Sequence, residues 1–271
     1  MLTRAISGLV FITLVIGSLY IGYYSSLVLF SIIAFIGTLE YSNLSKKQSL
    51  PYKLTGALFS SSFVLGIGYF ITEPHSFWVF SIWMVFAVVF VIQLLRSGSK
   101  TTLTDISVTV AGAFYLAVPM ISLLILGIIP SFSPVAFNWL IPFSIFLLTW
   151  TNDTGAYLSG RTFGKHKLFE RISPNKTWEG SIGGGILTLI ISLVLHHFVG
   201  TFNAPTWMVI AVLVSVFSNV GDLMESAFKR NAEVKDSGSI MPGHGGILDR
   251  FDAILLTAPV VLAYLLSVID L

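Results

Sequence analysis

The sequence predicts an all-α, polytopic integral membrane protein of about nine transmembrane helices, with its N-terminus in the cytoplasm. Three observations carry that reading. Mean hydropathy is +0.87, with 55% apolar and only 10% charged residues, a balance that soluble folds do not carry. Apolar runs of roughly 20 residues, the length that crosses about 30 Å of hydrocarbon, recur along the chain. The connectors between them alternate between basic and cation-free, as in a chain that crosses back and forth. A closed β-barrel would show many short alternating strands instead.

The expected spans are 5–23, 26–44, 54–72, 76–95, 105–128, 138–158, 180–198, 206–228 and 252–269. The first follows Arg4 and runs into SLYIGYYSS, where bulky aromatics stand in place of a small-residue cleavage site, so it reads as a retained span. The connectors SKKQSLPYK and RSGSK, and the loops 159–179 and 229–251, are basic. Those near 24 and over 73–75, 129–137 and 199–205 contain no Lys or Arg. With the Arg4 end inside, nine crossings put all 15 Lys and Arg residues on the cytoplasmic face. Glu73 and Asp270 are the acidic residues left outside, so both signs of charge converge on one side.

The first five spans are poor in ionisable groups; Glu40 and Asp105 are exceptions, near inner helix ends where solvation is cheap. Gly183, Gly184 and Gly185 in the seventh span predict close helix packing. His196 and His197, adjacent on the same helix, point in different directions and do not make a metal site. No internal repeat is visible, which weakens an inverted-repeat transporter. The absence of cysteine excludes disulfides, thiolate metal sites and S-acylation. A net charge of +2 is too small to point to a nucleic-acid partner.

From residue 150 onward the polar groups thicken. In SNVGDLMESAFKRNAEVKDSGSIMPGHGGILDRFDA, Asp222, Glu225 or Ser226, and Lys229 recur at helical spacing and form one polar stripe. Asp249 and Asp252, three apart, share a face at the start of the ninth helix, at the positive end of its dipole. Carboxylates from two helix ends can share a divalent cation of the kind that meets phosphates. Between them Gly238, Gly243, Gly245 and Gly246 supply backbone N–H groups for an anion nest, ringed by Lys229, Arg230, Lys235 and Arg250. His244 lies in the same loop.

A second polar block runs from Thr151 to Gly180. Asn152 and Asp153 fall inside the sixth span, where an ionisable group is costly. Arg161, Lys165, Lys167, Arg171 and Lys176 follow; a basic surface drawn to anionic lipid accounts for them but not for Asp153. GAYLSGRT and GRTFGK come near the phosphate-loop pattern, but neither follows a strand and the spacing or the lysine is wrong in each.

The run Ser226, Phe228, Lys229, Arg230, Lys235, Asp236, Gly238, Pro242, His244, Gly245, Gly246, Asp249, Arg250 and Asp252 resembles the signature of the phosphatidate cytidylyltransferases, or CDP-diacylglycerol synthases. SPNKTWEG, Ser173 to Gly180, and the Asn152–Asp153 region resemble the same family. Met241 departs from the Leu, Ile or Phe of that pattern, a mild apolar exchange. The resemblance implies a Mg²⁺-dependent enzyme that converts CTP and phosphatidic acid to CDP-diacylglycerol and pyrophosphate, in the plasma membrane and facing the cytoplasm. It implies a homodimer as well.

On that reading residues 1–137 are scaffold with lipid and subunit contacts, and 138–271 form the catalytic region with two cytoplasmic loops. Asp222, Asp249 and Asp252 hold Mg²⁺, with Asp153 as a further ligand and the number of cations, one or two, left open. Lys229, Arg230, Lys235 and Arg250 neutralise nucleotide phosphates, Gly245 and Gly246 cradle them, His244 is a further substrate-binding residue, and Lys176 takes the lipid phosphate. An ion-coupled transporter using Glu40, Asp105, Asp153 and Asp222 is the alternative, and needs those carboxylates near mid-membrane.

Overall fold

A computed structural model describes residues 2–45, 48–96, 102–129, 131, 133–241, 243 and 245–269. Lys46, Lys47, Lys100, Pro242, His244 and Asp270, which enter the sequence argument, lie outside the described residues. Nine α-helices are described: α1 Leu2–Ile21, α2 Tyr23–Leu44, α3 Leu50–Thr72, α4 Val79–Arg96, α5 Thr102–Ile128, α6 Leu140–Phe163, α7 Trp178–Val199, α8 Ala204–Asn231 and α9 Leu248–Val268. They fall on the nine expected spans. Six of them, α2, α3, α5, α7, α8 and α9, are long and apolar enough to cross a membrane, and Ile6–Ile21 and Val79–Gln93 are shorter apolar helices. α6 owes its lower hydropathy to Asn152, Asp153 and Arg161.

Several boundaries differ from expectation, and capping explains two of them. Thr177 starts α7 earlier than the apolar run does, its Oγ1 accepting from Gly180 N at 3.1 Å. Asn203 caps α8 through Thr206 N at 2.9 Å. At the far end of α7, Gly200 takes φ 67°, the left-handed turn that closes many helices. α6 runs on to Phe163, so GAYLSGRT is helical and offers no phosphate loop.

The loop after α6 contains an antiparallel hairpin that hydropathy did not foretell: β1 Lys167–Phe169 pairs with β2 Ser173–Thr177, Lys167 opposite Thr177. Glu179 ties the loop to α7, accepting from Lys165 N at 3.1 Å and pairing with His166 Nδ1 at 2.6 Å.

α5 is the central helix, 72% buried along its apolar stretch against 22% for α7. Leu116, Met120, Leu123 and Leu124 of α5 join Phe30, Phe146, Trp207 and Phe251 in the core. Large apolar side chains such as Leu9, Val28, Val88, Ile182 and Ile190 are exposed on the outside. A surface of that kind, on helices whose backbone bonds are satisfied internally, is suited to lipid, and the chain is a membrane protein.

The glycine run of α7 packs as expected. A Cβ on Gly184 would meet the Asn152 backbone oxygen at 2.6 Å, and one on Gly185 would meet Ser215 Oγ at 2.9 Å. Gly184 thus seats α7 on α6, and Gly185 seats it on α8. Buried Asn152 adds a third tie, its Nδ2 donating to Ser218 Oγ at 2.9 Å.

Candidate active site

α8 and α9 meet backbone to backbone at Gly221. A Cβ there would lie 3.2 Å from Ala253 Cα and would overlap the Asp252 carbonyl oxygen. This approach brings Asp222, the next residue on α8, to the first turns of α9. Carboxylate oxygens of Asp222, Glu225 and Asp252 all lie within 4.8 Å of one another. Asp222 and Glu225, three apart, project from one face of α8.

Glu225 is fully buried. Lys229 Nζ lies 2.5 Å from its Oε2, and its Oε1 has no hydrogen-bond partner among the described residues. A buried, half-satisfied carboxylate beside two others is a costly arrangement that a bound cation would relieve. Three oxygen donors of this hardness fit Mg²⁺ rather than a soft metal. Glu225 is legible in the sequence as part of the α8 stripe; its membership of the trio depends on how α8 meets α9.

Asp249, expected in the metal seat, has a different set of partners. Its Oδ1 accepts from Lys229 Nζ at 2.7 Å, and its Oδ2 accepts from Gly246 N at 2.7 Å and from Ser237 N and Oγ, both at 2.9 Å. Oδ2 therefore holds the loop before α9, and Oδ1 holds Lys229 of α8. Lys229, expected to neutralise a nucleotide phosphate, instead bridges Glu225 and Asp249.

The glycine loop is an anion nest, but its anions are the protein's own carboxylates. Gly246 N is directed at Asp249, where the sequence predicts a substrate phosphate. Gly245 takes φ 83°, and a Cβ on it would meet Asp249 Oδ2 at 2.5 Å. On the other side stands Glu40 of α2, buried, its Oε2 accepting from Leu248 N at 2.8 Å and Ser237 Oγ at 3.4 Å. A Cβ on Gly238 or Gly246 would run into that carboxylate. Glu40 thus caps the positive end of α9 and fixes the loop. Nothing in the sequence links it to Ser237, almost two hundred residues away.

Two polar cavities flank the site and share Asp153 and Asp222 as a common wall. One, of about 350 Å³, is lined by those two residues with Asp249, Arg250, Asp252 and Met241, and by Gly8, Phe11 and Ile12 of α1. The other, of about 440 Å³, adds Arg161, Asn175, Lys176 and Asn219. Lys176 forms an ion pair with Asp222 Oδ2, joining the hairpin to α8. Asp153 sits beside the trio without belonging to it. Arg250 lines the first cavity, Arg230 and Lys235 are exposed, and His244 is outside the described residues. Asp105 lies elsewhere, at the start of α5, its carbonyl accepting from Gln48 Nε2 at 2.9 Å.

Comparison with known proteins gives this arrangement a context. A phosphatidate cytidylyltransferase of Staphylococcus saprophyticus is 52% identical over 125 residues, 45% of this chain and 48% of that protein. Proteins of the same name from Staphylococcus haemolyticus and Staphylococcus aureus are each 54% identical over 116 residues, 42% of this chain and 44% of theirs. These alignments span about half the length of the curated relatives. The profile of the cytidylyltransferase family matches residues 2–268, nearly the entire chain, which therefore belongs to the cytidylyltransferase family.

Proposed function

We propose that this protein transfers the cytidylyl group of CTP to phosphatidic acid, releasing pyrophosphate and forming CDP-diacylglycerol at the cytoplasmic face of the plasma membrane. The observation that carries the reading is the three-carboxylate cluster within 4.8 Å, set between two polar cavities in an otherwise apolar helical bundle. Relatives named for the same reaction support it.

In the reaction, a phosphate oxygen of the lipid forms a bond to the α-phosphorus of CTP while the bond to the pyrophosphate oxygen breaks. The nucleophile is already anionic near neutral pH, because the second pKa of a phosphomonoester is about 6. No strong general base is needed. The task is to bring two polyanions together in line, which is electrostatic and positional.

Asp222, Glu225 and Asp252 are the residues suited to hold Mg²⁺, with Asp153 as a further oxygen beside them. A Mg²⁺ held by these residues would supply positive charge against the triphosphate and the pyrophosphate leaving group. Asp249 and Glu40 act at one remove, keeping Lys229 and the 237–247 loop in place. Arg230, Lys235 and Arg250 ring the nucleotide side. Lys176, which pairs with Asp222 and lines the second cavity, is the cation placed to take the lipid phosphate. Nine crossings, an inward-facing N-terminus and a homodimer complete the proposal.

The test is turnover of labelled CTP with phosphatidic acid by purified protein, with and without chelator. Lipid-extractable label that appears only with Mg²⁺ is the expected result. No lipid-soluble label under any metal condition would overturn the reading.

A further inference from the structure

We propose that an acyl chain of the phospholipid substrate lies in the groove between α7 and α8, which makes this groove the lipid's lateral entrance to the active site. The inference rests on the reaction proposed above. The groove encloses about 500 Å³, a volume in the range of ligand pockets. Ile182 and Ile186 form one wall, Val212 and Val216 the other, and the floor is the close contact of Gly185 with Ser215.

Its inner end separates it from an ordinary lipid-facing furrow. Ser181 and Asn219 line both this groove and the polar cavity that holds Arg161 and Lys176. An amphiphile in the groove would therefore have its tail against α7 and α8 and its headgroup beside two cations. Phe169 of β1 and Trp178 stand over the groove, joining it to the hairpin that carries Lys176.

A second apolar groove, between α1 and α2, touches the other cavity through Phe11 and Met241. That cavity is lined by Asp153, Asp222, Asp249 and Asp252 with Arg250. A phosphomonoester dianion entering there would face four carboxylates and one cation, Arg250, whereas the α7–α8 route leads to a cavity in which two of those carboxylates, Asp153 and Asp222, are balanced by Arg161 and Lys176. Charge complementarity selects the latter.

The test uses intact protein in lipid nanodiscs with phosphatidic acid that carries a photoreactive diazirine at the end of one acyl chain. Adducts are expected within 182–189 and 212–220, suppressed by excess unlabelled phosphatidic acid and not by phosphatidylcholine. Adducts on α1 and α2 that phosphatidic acid suppresses, or α7–α8 adducts that phosphatidylcholine suppresses equally, would overturn the proposal. This readout needs no turnover, so it fails separately from the reaction assay.

Ile186→Trp and Val216→Trp fill the groove from residues 55% and 51% exposed. Each is expected to raise KM for long-chain phosphatidic acid about tenfold. The KM for CTP and turnover of the dihexanoyl lipid should stay unchanged. Equal effects on long and short chains, or none on either, would count against the groove.

Discussion

A carboxylate with no exposed surface is unstable as an anion unless something positive lies against it. Glu225 meets that requirement on one oxygen through Lys229 and has no hydrogen-bond partner for the other among the described residues. Glu225→Gln and Asp252→Asn should each lower turnover by roughly 10²–10³-fold, the cost of losing one preorganised charge contact, and weaken the response to Mg²⁺. A Mg²⁺ titration of CTP turnover on variants that stay monodisperse in detergent checks this; near-normal activity would remove that residue from the metal seat. Lys229→Met should act differently. It leaves Glu225 and Asp249 buried against each other, so a loss of about 3–5 kcal/mol of stability is expected, read by thermal unfolding in detergent.

At the scale of elements, α8 and α9 can bring Asp222 to Asp252 only because Gly221 has no side chain. Gly221→Leu should push the helices apart, costing about 1–3 kcal/mol and lowering turnover together with stability. Gly17→Ala in α1, where a Cβ meets nothing within 4 Å, should leave turnover unchanged and stability equal or slightly higher. Parallel melting curves and CTP assays separate the two cases. The hairpin β1–β2 shows where periodicity runs out. Its strands are three and five residues long, too short for an alternating pattern, and the Lys176–Asp222 pair that gives it meaning crosses from one loop to another helix.

For the whole molecule, both polar loops lie on the same side of the bundle, since Lys176 of one reaches Asp222 of α8, which in turn stands beside Asp252, just past the end of the other. The absence of native cysteine makes the orientation testable by single substitutions. Val135→Cys, at a position 98% exposed between α5 and α6, should react with a membrane-impermeant maleimide in intact cells. Glu170→Cys and Lys235→Cys should react only after the cells are opened. The reverse pattern would move the site to the outer face.

Hydropathy and connector charge are properties of each segment alone, so the helical membrane fold and the nine helix positions could be read from the sequence. The clustering of Asp222, Asp252, Lys229 and the glycine loop near one another was legible for the same reason, because these residues lie within one continuous stretch. Which carboxylates come together, and which serve as internal anions for the glycine nest, was decided only in three dimensions. Glu40 reaches the loop from α2 and Glu225 meets Asp252 across a helix contact, and distances of that kind are set by how helices pack, which no local pattern of residues encodes.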